Sequence, residues 1–211
     1  MNYYIRTTEQ RKLNSSYNQI PYKLIVDREH KPIDSFINAL YQISDEDSVL
    51  MEDDIILCNN FEQEITKVIE QYPNRIINFF NILNMGHIEE KYTIVYNQCT
   101  FYPKGIAKQI ADIMITLPRR DDKKKNMYSL LENVALKQLD QKVVQYIPHL
   151  VQHLDNDTLL FESTPHQRRS IYFIDYVKEL GIDYNDLTKH NFELRRLMNK
   201  HFKELSKGDV M

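Results

Sequence analysis

The sequence predicts an α/β fold, a mixed and mostly parallel sheet flanked by helices in a single domain. Three observations carry this expectation. Short β-prone apolar runs alternate with segments of helical periodicity from the amino terminus onward. The ten residues Ser48 to Leu57 (SVLMEDDIIL) are apolar on both sides of three consecutive acids, as in a strand covered on both faces. The 211 residues, 42% hydrophobic and 27% charged, suffice for one sizeable core and are too few for two full enzyme domains.

Taken in order, Tyr3-Tyr4-Ile5 is a first strand, and the polar stretch after it, with Arg11 and Lys12, reads as a helix. Tyr22 to Val26 is a second strand bounded by Pro21 and Asp27. Asp34 is the expected cap of a helix whose Phe36, Ile37, Leu40 and Ile43 recur at helical spacing. SVLMEDDIIL is the third strand, FEQEITKVIEQYP a helix ending near Pro73, and RIINFFNIL a further continuous strand. KYTIVYNQCTF is β-rich, and a helix starts after Pro103 with Ile106, Ile110 and Ile113 on one face. RRDDKKKN, Arg119 to Asn126, holds seven charges in eight residues and reads as an exposed loop. MYSLLENVALKQL is a helix, VVQYIPHLVQH a last strand, and FELRRLMNKHFKEL a helix with Leu194, Leu197, Met198, Phe202 and Leu205 on one stripe. No repeat or linker interrupts the chain.

Composition excludes several classes. No apolar run approaches membrane-spanning length, and MNYYIRTTEQRK lacks the apolar core of a signal peptide, so the expected location is the cytoplasm. Cys58 and Cys99 then read as small buried thiols without a bridge. The four glycines, Gly86, Gly105, Gly181 and Gly208, are scattered, so neither a Walker loop, a dinucleotide fingerprint nor a nucleophile elbow can be built. Net charge is −3, but residues 189–207 carry six Lys or Arg against Glu193 and Glu204; this basic tail suits phosphate or is a solvated helix face.

The strongest chemical signal is the triplet Glu52, Asp53 and Asp54 inside an apolar run. Carboxylates are almost never buried unpaired, so a cation should meet them. A hard divalent ion, Mn²⁺ or Mg²⁺, held by carboxylate oxygens and completed by water and phosphates, needs no glycine loop. His149 and His153 have the i, i+4 spacing of a zinc pair, but Leu150 stands where a metalloprotease needs glutamate, and Pro148 opposes a helix. His149 reads as a core or surface residue. His153 ends a strand, as the triplet does, and an imidazole beside the carboxylates favours Mn²⁺ over Mg²⁺.

VLMEDDIIL and, 99 residues after Asp54, IPHLVQH with a following Thr158 resemble the two signatures of metal-dependent glycosyltransferases of the Rossmann-like GT-A fold. Arg6-Thr7 and Arg11 after the first strand, Leu24 to Asp27, and QCTFYPKGIAKQIADI are similar to that family's nucleoside and sugar-pocket segments. The resemblance covers most of residues 1–175, leaving 176–211 as a helical, basic appendage. It implies Asp54 and His153 as metal ligands, Asp53 on the ribose or donor sugar, Glu52 in support, and Arg6, Thr7, Arg11 and Asp27 around the nucleotide. Arg168 or Arg169 would approach the diphosphate. Two departures stand out: Asp155-Asn156 occupies a place where that signature often has glycine, and the family's aspartate before the last helix is not obvious here, with Glu132 as the nearest acid for a catalytic base alongside Asp54.

The expected activity is transfer of a sugar from a nucleotide sugar, a UDP-sugar first, to a hydroxyl on a saccharide, cell-surface polymer or protein. Two other readings stand beside it. One is glycosylation of hydroxymethylated DNA bases, with nucleic acid led in by the basic tail and the Arg119 to Lys125 loop. The other is a non-catalytic nucleotide-sugar or protein-binding module.

Overall fold

The computed structural model describes residues 1–28, 31–81, 86–94, 96–118, 127–154 and 169–205. Its strands are β1 (Asn2–Thr7), β2 (Tyr22–Val26), β3 (Ser48–Glu52), β4 (Ile55–Leu57), β5 (Ile76–Asn78), β6 (Glu89–Lys91), β7 (Cys99–Tyr102), β8 (Val143–Gln145) and β9 (Val151–His153). Its α-helices are α1 (Pro32–Gln42), α2 (Phe61–Gln71), α3 (Ile106–Met114), α4 (Met127–Gln138), α5 (Ile174–Glu179) and α6 (Asn191–Leu205). Seven strands form one sheet in the order β2-β1-β3-β7-β5-β8-β6, and β4 pairs with β9 in a separate ribbon. β2, β1, β3, β5 and β8 run one way, while β7 and β6 run antiparallel to their neighbours. The expected mixed, mostly parallel sheet flanked by helices is therefore the observed one.

Successive side chains of a strand point to opposite faces, and both faces here are apolar. Tyr3, Ile5, Val49, Met51, Ile77, Phe101 and Val144 enter one core with residues of α2, α5 and α6. Tyr4, Leu50, Ile76, Tyr102 and Val143 enter the other, with α1, α3 and α4. Each wholly buried large side chain contributes on the order of 1.5–3 kcal/mol through removal of apolar surface from water. Both cysteines are buried in the first core. Among the described residues no helix is long and apolar enough to cross a membrane.

Several expectations are corrected. The segment after β1 is not a helix; it is irregular and closes with a short 3-10 turn at Ser15–Gln19, whose Asn14 accepts from the Ser16 amide. SVLMEDDIIL is not one strand: β3 ends at Glu52, a turn at Asp53-Asp54 intervenes, and β4 joins β9 instead. The acids break the run because the sheet interior has no place for three charges. Among the described residues of RIINFFNIL, strand is confined to Ile76 to Asn78, and VVQYIPHLVQH divides into β8 and β9 around Pro148, which lacks an amide for a ladder. Helix α1 starts with Pro32 in its first turn, so Asp34 lies inside that turn and not at the cap. The charged loop 119–126 lies outside the described residues.

The carboxy-terminal segment expected as an appendage shares the first core. Leu194, Met198 and Phe202 of α6 are buried there, whereas Leu205 is exposed. Gly86, at φ 65°, sits so close to this segment that a Cβ would lie 2.2 Å from Thr188 Cγ2. Leu194→Ala and Phe202→Ala are each expected to cost about 2–5 kcal/mol, with one cooperative urea transition followed by circular dichroism. A two-step transition, or no loss, would make the segment an independent unit.

Candidate functional site

The first three parallel strands end together at Thr7, Val26 and Glu52. From β1 the chain leaves toward the core that holds Tyr17 and Ile20, and from β2 it leaves through α1 toward the opposite face. Ligands of open α/β sheets bind where chains part in this way beyond the carboxyl ends of strands. The acidic triplet lies at this edge.

Glu52 meets one arginine, while Asp53 and Asp54 share another. In the parallel register Arg6 is the neighbour of Glu52, and its guanidinium donates through Nη2 at 2.5 Å and Nε at 3.1 Å to Glu52 Oε1. Arg6 also donates to the Pro32 carbonyl at 3.1 Å and lies against the adjoining rings of Phe36 and Tyr128, 5.3 and 4.8 Å from their centroids, which are themselves 4.9 Å apart. Arg6 and Glu52 are thereby occupied with one another and with α1 and α4. Burial pushes the Glu52 carboxyl upward and Arg6 opposes it.

Asp53 and Asp54 form the second part. Thr7 Oγ1 donates to Asp53 Oδ2 at 2.7 Å, and Arg11 Nη1 lies 2.7 Å from Asp53 Oδ1 and 3.3 Å from Asp54 Oδ2. His153 Nε2 lies 3.3 Å from that same Asp54 Oδ2. The 99-residue separation is closed by the β4–β9 ribbon, in which Ile55 pairs with His153, and by the Leu154 amide donating to the Asp54 carbonyl at 2.7 Å. Burial alone would raise the Asp54 carboxyl, but His153 and Arg11 outweigh it and bring it down to about 2. For Asp53 burial prevails and the carboxyl is raised.

The residues present fit a divalent ion in one respect and limit it in another. Among the described residues Asp54 Oδ1 is buried and accepts no hydrogen bond, an unusual state for a carboxylate oxygen. Asp54 Oδ2 and His153 Nε2 are 3.3 Å apart, compatible with two ligands each about 2.0–2.2 Å from one ion. Among the described residues, however, no group of three His, Cys, Asp or Glu converges as a metal cage. Two protein ligands suit Mg²⁺ or Mn²⁺, which take their remaining positions from water and phosphate oxygens.

The other expected residues fall in various places. Asp27, whose amide donates to the Thr7 carbonyl at 2.8 Å, lines a cavity of about 480 Å³ with Leu24, Val26, Arg28, Lys31 and Asp34. This cavity lies between edge strand β2 and α1, and neither Asp54 nor His153 lines it. Arg169 stacks on Phe202, 3.7 Å from the ring centroid, and Arg168 lies outside the described residues. His149 is fully buried, bonded to Ser170 Oγ at 2.5 Å, and burial lowers its imidazole to about 3, in keeping with a core role.

Glu132 has no exposure. Its Oε1 accepts from Tyr102 Oη at 2.6 Å and its Oε2 from Asn97 Nδ2 at 2.8 Å, while Thr100 donates to Asn97 and Asn78 to Thr100. This network joins α4 to the sheet, so Glu132 is enclosed and does not present an oxygen to an acceptor hydroxyl. Sequence reasoning also missed Gln98, whose carbonyl accepts from the Glu52 amide at 2.9 Å and whose buried Oε1 accepts no hydrogen bond among the described residues. Only the antiparallel β3–β7 register brings it beside the triplet.

No family model matches this sequence, and no curated protein matches it. Among solved structures, the chain is similar to "Crystal Structure of A197 from STIV" with a TM-score of 0.46 and 10% identity, over 79% of this chain and 100% of that one.

Two predictions concern the charges. Arg6→Ala should lower stability by about 3–5 kcal/mol, because it strands a buried carboxylate, and Arg6→Lys should recover only part of this, since an ammonium lacks the fork; chemical denaturation measures both. For Glu132, burial raises the carboxyl from 4.5 to about 7 in spite of Tyr102 and Asn97. The folded state then holds this proton more tightly than the unfolded chain, so its contribution falls as pH rises from 4.5 to about 7 and is level above. Glu132→Gln should flatten that decline, which is at most about 1.4 kcal/mol per pH unit, in thermal melts from pH 5 to 8.

Proposed function

We propose that the chain is a metal-dependent glycosyltransferase of GT-A type, in which Asp54 and His153 bind a divalent ion, Mn²⁺ first and Mg²⁺ second, that anchors the diphosphate of a UDP-sugar. The observation that supports this most is the meeting of the two side chains on one oxygen, Asp54 Oδ2 and His153 Nε2 at 3.3 Å, at the carboxyl edge of a mostly parallel sheet. The buried Asp54 Oδ1, which accepts no hydrogen bond among the described residues, adds a second acceptor that a cation could use.

In the transfer the bond between the anomeric carbon and the diphosphate oxygen breaks, and its electron pair leaves with the nucleotide. A new bond forms between that carbon and the acceptor oxygen, whose proton passes to a base or to water. The bound ion supplies charge neutralisation for the departing diphosphate. Before an ion arrives the Asp54 carboxyl is held well below the usual carboxylate range, so an ionised oxygen would be available as a ligand. Asp53 is steered by Thr7 and Arg11 toward the donor, and the Arg6–Glu52 pair keeps the end of β3 in place. The groove at Asp27 offers room for a nucleoside. Glu132 acts through packing, so the base is another group or water. The acceptor is a saccharide, polymer or protein hydroxyl; the exposed Arg195, Arg196 and Lys200 of α6 keep hydroxymethylated DNA as the second choice.

The test is nucleotide release from a panel of nucleotide sugars with Mn²⁺, together with calorimetry of UDP and Mn²⁺. Release of UDP from at least one donor is expected, and Asp54→Asn should keep its fold while losing at least 100-fold in turnover, equivalent to about 2.7 kcal/mol. Absence of release from every donor would favour a binding module, and undiminished Mn²⁺-dependent UDP binding by the variant would remove Asp54 from the site.

A further inference from the structure

We propose that Arg11 is a resident counter-cation of the Asp53–Asp54 pair and competes with the divalent ion for the same carboxylate oxygens, so that binding of the ion displaces its guanidinium. This rests on the reading of Asp54 and His153 as metal ligands and assigns a role that reading leaves open.

The geometry points to competition. Arg11 Nη1 reaches Asp53 Oδ1 at 2.7 Å and Asp54 Oδ2 at 3.3 Å, and Asp54 Oδ2 is the oxygen that His153 Nε2 also approaches at 3.3 Å. An ion seated on the facing pair, Asp54 Oδ2 and His153 Nε2, would share that oxygen with a guanidinium nitrogen. Two positive groups on one carboxylate oxygen repel, and the strongly buried surroundings screen them little. One of them must yield. Arg11 is the better placed to shift: it lies in the irregular segment between β1 and the 3-10 turn, its amide bonds to the nearby Thr8 carbonyl at 3.2 Å, and its side chain is 18% exposed. Rotation of this side chain breaks no strand or helix. His153, by contrast, is fixed within β9 and only 2% exposed at its side chain.

The arrangement has a chemical use. Adjacent buried carboxylates without a cation would repel one another, and Arg11 relieves this while the ion is away. When the ion takes the carboxylates, the displaced guanidinium stands beside the diphosphate site, and a guanidinium pairs well with phosphate oxygens. The cost is a metal affinity lower than the two ligands alone would give.

The experiment uses the full chain freed of metal by a chelator, with Mn²⁺ alone as the probe. Calorimetry should show Arg11→Gln binding Mn²⁺ about tenfold more tightly than the natural protein. Phenylglyoxal labelling of Arg11 in the natural protein, read by peptide mass spectrometry, should rise at least threefold when Mn²⁺ is added, which a fixed neighbouring charge would not produce. Equal or weaker Mn²⁺ affinity in the variant, or unchanged labelling while Mn²⁺ is bound, overturns the exchange and leaves the metal site standing. Failure of both proteins to bind Mn²⁺ overturns the exchange and the metal site together. Exchange without nucleotide release from any donor would support Arg11 and sink the transferase reading alone.

Discussion

Three carboxylates in succession at the end of a central strand must each find a positive partner, and much of the architecture around them answers that demand. Glu52 takes Arg6 from the neighbouring strand, Asp53 takes Arg11 and Thr7, and Asp54 takes His153 and shares Arg11. Removal of Arg6 would leave the buried Glu52 without a counter-charge, which costs more than most single contacts contribute. The segments that bring the partners are consequently tied down: Asn14 Nδ2 donates to the Ile55 carbonyl at 2.6 Å, and Tyr17 Oη donates to the Glu52 carbonyl at 2.5 Å.

The same demand explains the unusual path of the chain after β3. A continuous strand through Asp53 and Asp54 would drive charge into the sheet. The turn instead releases β4 to pair with β9, and this ribbon is what delivers His153. On the other face the Arg6 guanidinium, packed against the adjoining rings of Phe36 and Tyr128, couples the acids to α1 and α4. Charge placement and helix packing are here one problem, because an arginine that neutralises a carboxylate also covers aromatic surface. Glu132 and its Tyr102–Asn97 partners show a further polar network on this side, satisfied internally and serving the α4 contact.

Legibility in the sequence followed the range of the interactions. The strands β1, β2 and β3 and the helices α1, α2, α3, α4 and α6 were readable because apolar periodicity is local. The triplet was readable as a site because charge inside an apolar run is anomalous wherever it occurs. Unreadable were the features set by partners far along the chain: the end of β3 at Glu52, the division of VVQYIPHLVQH, and the enclosure of Glu132. Arg6 illustrates the limit well. The family resemblance implied a nucleotide contact for it, and only the parallel register with Glu52 shows that its guanidinium is engaged within the fold.

By itself the sequence determined an α/β chain with two apolar faces to its sheet and an acidic group in need of cations, since composition and periodicity dictate which residues leave water. Tertiary structure alone decided which cation meets which acid. Pairing of β4 with β9, the register of β1 on β3, and the turn carrying Arg11 are long-range choices, made by backbone hydrogen bonds and packing between segments that no local pattern relates.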